Sequence, residues 1–263
     1  MAVLWAWSFG HAAGVRTSIS ALAVLGLGTW LIYVADRLLD ARPLPNGAAF
    51  RTELRERHFF HARHSRTLLA VASPAAAALF WLIVRMPAID RRDDAILFAV
   101  AMLYFGSVHL LASRTRRWFA REVMVGVVFA LATAVPAWSQ APGSRLQMAL
   151  LVVLFAALCC LNTIAIEIWE QSGSARRFSV SLAAGALTLC AAVLTLWAGA
   201  RPADSALVLC AGLSAMLLFS LDQLHRRRSS QMGPVEDARW LLLVRVAADA
   251  ALLTPLLFVV PWR

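Results

Sequence analysis

Along this chain, apolar runs long enough to cross a bilayer alternate with short polar links. The runs fall at 17–36, 67–86, 94–113, 121–139, 147–168, 178–199, 204–221 and 238–260. Each is close to the ~20 apolar residues that an α-helix needs to cross the hydrocarbon core. The pattern predicts an all-α fold, a polytopic transmembrane helical bundle of about eight spans. The links leave no room for a soluble domain, so residues 1–263 form a single integral-membrane domain. The opening stretch MAVLWAWSFGHAAG, residues 1–14, is apolar and aromatic but too short to span alone. It lacks a basic leading segment and so does not resemble a signal peptide. It is either the remnant of a first helix or a short interfacial segment.

Composition agrees with this pattern. Sixty per cent of the residues are hydrophobic and the mean hydropathy is +0.69, more apolar surface than a soluble chain of this length can bury. The net charge of +10 is carried entirely by arginine, with no lysine in the chain. Such a charge often points to nucleic acid. Here the arginines lie between the apolar runs, which suits membrane topology and anionic lipid, and no nucleic-acid partner is expected. Loops at 37–66, 114–121, 176–177 and 226–239 hold 17 arginines, and the alternate loops with the termini hold 7. The positive-inside rule then puts the first set in the cytoplasm, in a bacterial inner membrane. Cys159, Cys160, Cys190 and Cys210 lie inside apolar runs without metal-ligand spacing and act as small hydrophobes.

Two acidic clusters interrupt the pattern at helix ends. In WLIYVADRLLDARPLPNG, Asp36 and Asp40 are four residues apart and share a helix face. Like charges so placed repel unless a cation lies between them, and carboxylates with a phosphate are a common way to hold Mg²⁺. In LNTIAIEIWEQ, Glu167 and Glu170 are three apart, with Asn162 two turns before Glu170. Both clusters open on the arginine-rich side. The interval from Asp40 to Glu170 is about half the chain, which suggests a duplicated four-helix unit.

These motifs give the chain a resemblance to the UbiA-type intramembrane prenyltransferases. VADRLLD looks like the latter half of that family's N-x-x-x-D-x-x-x-D motif, and RPLPNG like the Arg-Pro turn that follows it. If the opening stretch is the remnant of helix one, the acidic clusters fall on helices two and six, as in the family. REVMVGVVFAL, from Arg121, resembles the stretch opening helix five in relatives. The resemblance implies that Asp36, Asp40, Asn162, Glu167 and Glu170 hold Mg²⁺ and that the four acids are catalytic. It also implies Arg37, Arg42, Arg121 and Tyr104 as contacts for the diphosphate of a prenyl donor. Metal and arginine would stabilise the leaving diphosphate while an aromatic or other lipophilic acceptor attacks the allylic cation. The isoprenoid tail would lie in the apolar bundle among residues such as Phe129 and Trp81. Departures from the family are specific: its leading Asn falls on Ile32, the acid often next to it on Tyr33, and the middle acid of the second motif on Ile166. A second reading therefore keeps the fold without catalysis, as a protein binding lipid or a partner.

Other features have plainer explanations. His58, His61 and His64 in ELRERHFFHARHSR suit an amphipathic helix on the membrane surface, with Phe59 and Phe60 in lipid, better than a metal site. Arg245 and Asp249, four apart in the last run, either pair with each other or bond other helices inside the bundle. HRRRSS, from His225, suits an anchor at anionic lipid, and DRRDD, from Asp90, a solvated turn. A CDP-alcohol phosphotransferase would need an acidic series that this chain lacks, and a transporter would place its polar groups nearer the bilayer midplane.

Overall fold

The computed structural model describes residues 1–40, 63–87, 91–92, 95–96, 98–99, 102, 118–170, 178–197, 202–229 and 234–259. Among the described residues, all regular structure is helical and there is no strand. The helices are α1 (Ala2–Ala12), α2 (Ile19–Asp40), α3 (Ser65–Arg85), α4 (Trp118–Trp138), α5 (Arg145–Glu170), α6 (Val180–Trp197), α7 (Pro202–Ser229), α8 (Pro234–Ala251) and α9 (Leu256–Val259), with a 3-10 turn at Pro142–Ser144. Ile19–Leu39, Ser65–Arg85, Arg145–Glu170 and Ala203–Arg228 are long and apolar enough to cross a membrane. Glu122–Trp138 and Val180–Leu196 are apolar but shorter. The expected runs other than 94–113, which lies largely outside the described residues, are helical, with the last split in two, and the structure supports four candidate spans rather than a count of eight.

The opening stretch folds as α1, and Trp5, Ala6 and Phe9 are almost wholly buried. At ~1.5 Å per residue, this helix covers only about half of the ~30 Å hydrocarbon thickness. Its aromatic side chains carry the packing: Trp5 stacks on Phe155 of α5 at 4.2 Å, and Phe9 meets the same ring edge-on at 5.7 Å. Such offset and edge-on pairs suit the ring quadrupoles.

The last expected run, 238–260, is broken. Pro255 has no N–H, and its ring would collide with the carbonyl one turn back if the helix continued. The chain tightens instead, and the N–H groups of Leu252, Leu253 and Leu256 bond carbonyls three residues earlier. The Trp5 indole N–H donates to the Leu252 carbonyl at 2.8 Å. Thr254 closes the turn with its hydroxyl 2.9 Å from the Cys210 carbonyl and 2.8 Å from the Ser214 hydroxyl.

Small residues set the closest approaches. A Cβ on Gly126 of α4 would lie 2.6 Å from the backbone nitrogen of Cys160, so only glycine lets α4 and α5 touch there. The same surface is tied by Cys160 to the Val123 carbonyl at 3.3 Å and by Thr163 to the Glu122 carbonyl at 3.0 Å. α3 lies apart from this core, with no buried side chain, and docks through Leu79, Leu82 and Ile83 beside Ala21 and Val24 of α2.

Candidate functional site

Asn162, Ile166 and Glu170 recur every four residues on α5 and form one stripe along it. α8 runs antiparallel past that stripe and matches it with two side chains one turn apart. Asn162 Nδ2 donates to Asp249 Oδ1 at 3.3 Å, and Arg245 Nη1 donates to Glu170 Oε1 at 3.1 Å. Ile166 lies between these two bonds. Arg245 and Asp249 therefore do not pair with each other; each reaches across to α5.

Asn162 is 4% exposed, and its Oδ1 is buried with no hydrogen-bond partner. A flipped amide would not relieve this, because its oxygen would then face the Asp249 carboxylate. A buried polar atom without a partner costs about 1–3 kcal/mol, so this oxygen is one that a water or a ligand would satisfy.

The other expected site residues divide. Asp36 is half-buried, one residue before Arg37, whose guanidinium lies 5.2 Å from the Tyr33 ring centroid. Glu167 comes one turn after Thr163, on the side of α5 that meets α4. Glu170 instead spends its charge on Arg245, with both side chains about a quarter exposed. Among the described residues, no three His, Cys, Asp or Glu side chains converge as a metal-binding group. The side chains of Asp40 and Arg121, and all of Arg42, Tyr104, His58 and His61, lie outside the described residues. The two expected isoprenoid contacts separate: Phe129 packs by Phe155 in the core, whereas Trp81 is exposed on α3 under the Arg85 guanidinium.

A second polar cluster escaped the sequence reading. Asp222 on α7 is completely buried. It accepts from the Trp169 indole at 2.9 Å, the Ser181 hydroxyl at 2.5 Å and Arg226 Nε at 2.8 Å, tying α5, α6 and α7. Beside it, buried His225 accepts from the Trp240 indole at 3.2 Å through Nδ1. Within HRRRSS, His225 is buried, whereas Arg226 bonds Asp222 from an exposed position and Arg228 lies over the Trp240 ring. The available signal was an acid at the edge of an apolar run, four residues before an arginine, where charge is costly unless paired. At the opposite end, Phe9, Ala12, Gln147 and Asp204 line a small cavity, and Gln147 bonds Asp204.

Compared with protein families, curated proteins and solved structures, the chain finds no match.

Proposed function

We propose that the chain is a Mg²⁺-dependent, UbiA-like intramembrane prenyltransferase, transferring an isoprenoid from a prenyl diphosphate to an aromatic or other lipophilic acceptor. In this reading the eight apolar runs are spans, and the acidic motifs face the cytoplasm of a bacterial inner membrane. The observation that carries it is the buried, unpartnered Oδ1 of Asn162, whose amide nitrogen donates to the Asp249 carboxylate at 3.3 Å.

Mg²⁺ prefers hard oxygen ligands and keeps several waters. The unpartnered amide oxygen of Asn162, on a side chain bonded to a carboxylate, suits such an ion. Asp36, Asp40, Glu167 and Glu170 are the further oxygen donors that the proposal assigns, with Arg37, Arg42, Arg121 and Tyr104 on the diphosphate. When bound, the ion would offset the charge that grows on the departing diphosphate. The guanidinium of Arg37 would bind phosphate oxygens with directed N–H bonds. Half-buried Phe129 would meet an apolar chain at the edge of the core. The ion pair of Glu170 with Arg245 favours a second reading, in which the fold binds a lipid or partner without turnover.

Binding of geranylgeranyl diphosphate to the purified protein in detergent decides between them. The proposal expects binding in Mg²⁺ that EDTA abolishes; no binding in either condition would favour the second reading.

A further inference from the structure

We propose that the end of α7 and the start of α8 form a binding site for an anionic phospholipid, with Arg228 on its phosphate. The proposal does not depend on prenyl transfer. The apolar stretch Ala203–Arg228, long enough to span, ends on Arg226, Arg227 and Arg228, all exposed. In a membrane these groups stand at the level of the lipid headgroups. Arg226 and Arg228 are two residues apart and do not share a helix face. Arg226 is committed inward, its Nε donating at 2.8 Å to the completely buried Asp222. Arg228 instead lies with its guanidinium 4.7 Å from the centroid of the Trp240 ring of α8. That ring is buried and held by its own N–H, which donates to His225 Nδ1 at 3.2 Å.

Three features make a lipid phosphate the occupant. First, Arg228 is exposed yet already rests on a fixed aromatic platform, so little side-chain freedom is lost when its planar fork takes phosphate oxygens. Second, the charge is complementary. Loops 37–66, 114–121, 176–177 and 226–239 hold 17 arginines against five acids, Asp40, Glu53, Glu56, Glu236 and Asp237. Exposed Arg239, next to Trp240 in α8, adds to the charge beside the platform. Anionic headgroups attract basic groups at this depth. Third, Leu217, Leu224 and Arg228 are spaced seven and four residues apart and share one face of α7. Leu217 is 41% exposed and Leu224 43%, so the guanidinium caps an open apolar stripe. A free phosphate would use the cap alone, whereas a phospholipid uses both, with an acyl chain along the leucines.

Native mass spectrometry of the full chain in neutral detergent, titrated with phosphatidylglycerol or phosphatidylcholine, tests the proposal. Wild type is expected to bind phosphatidylglycerol the more tightly. Arg228→Gln should weaken phosphatidylglycerol binding about fivefold, the effect of one arginine at an anionic surface. Arg228→Lys keeps the charge but loses the fork and its aromatic contact, so binding should still fall at least about twofold. Arg85→Gln, which removes an exposed arginine at the far end of α3, should change nothing. Thermal melting shows that each variant is folded, and Arg228→Lys carries the test if Arg228→Gln is not. Equal binding of the two lipids by wild type overturns the proposal. So does full binding in Arg228→Lys, which would reduce the site to diffuse charge, or an equal loss in Arg85→Gln. Displacement of phosphatidylglycerol by millimolar inorganic phosphate also overturns it, in favour of a soluble anion.

Discussion

Two polar clusters among the described residues are built to opposite ends. Around Asp222 every oxygen has its answer: an indole, a hydroxyl and a guanidinium from three helices converge on one fully buried carboxylate. Around Asn162 the helices stop one bond short, leaving a buried oxygen without a partner beside a carboxylate. Inside an apolar bundle, a completed network holds helices in register, whereas an incomplete one keeps capacity for something that arrives later. Burial alone does not separate them, since Asp222 and Asn162 are both buried. What separates them is the tally of donors and acceptors.

The largest expected effect is therefore structural. Asp222→Ala removes the acceptor shared by Trp169, Ser181 and Arg226 and strands buried donors, while the exposed Arg226 guanidinium keeps its water. Leaving a buried donor without a partner costs about 1–3 kcal/mol. The bundle should melt well below wild type in detergent, with no selective effect on ligand. A melting temperature equal to that of wild type would show that the Asp222 network holds nothing, and the contrast would collapse. Asn162→Leu should act in reverse. It removes a buried orphan oxygen and keeps an apolar side chain of similar size, so stability should change by less than about 1 kcal/mol. Mg²⁺-dependent binding of prenyl diphosphate should fall about tenfold, equivalent to ~1.4 kcal/mol. A large loss of stability with binding intact would make Asn162 a second structural tie.

Much of this was legible in the sequence, but unevenly. The apolar runs marked nearly every described helix, because a span must be continuous and apolar over its whole length. The break at Pro255 was visible as a residue and was missed as an event, since a proline near the end of an apolar run does not reveal whether the helix resumes. α1 was ambiguous because Trp5 and Phe9 suit a membrane interface as well as a core; only their stacking on Phe155 decides it. Asp36, Asn162, Glu167 and Glu170 were marked by spacing within one helix. Asp249 and Asp222 were not placed in a site, because their partners lie 87 and 41 to 53 residues away and no local period encodes which helices touch. For the same reason, Arg245 has a candidate partner four residues along its own helix and bonds a different one.

The smallest expected effect tests whether the Glu170–Arg245 pair belongs with the completed network or with the incomplete one. Both side chains are about a quarter exposed, so solvent screens part of the attraction. A double-mutant cycle of Glu170→Gln and Arg245→Gln should give a coupling of about 0.5–1 kcal/mol, as for partly exposed pairs. If the proposed function holds, Arg245→Gln also releases the Glu170 carboxylate, and prenyl diphosphate binding should then need less Mg²⁺. A coupling above about 3 kcal/mol would instead put the pair with fully buried ion pairs. An unchanged Mg²⁺ requirement in Arg245→Gln would show that Glu170 takes no part in holding the ion, leaving Asn162 as the end of the α5–α8 stripe that does.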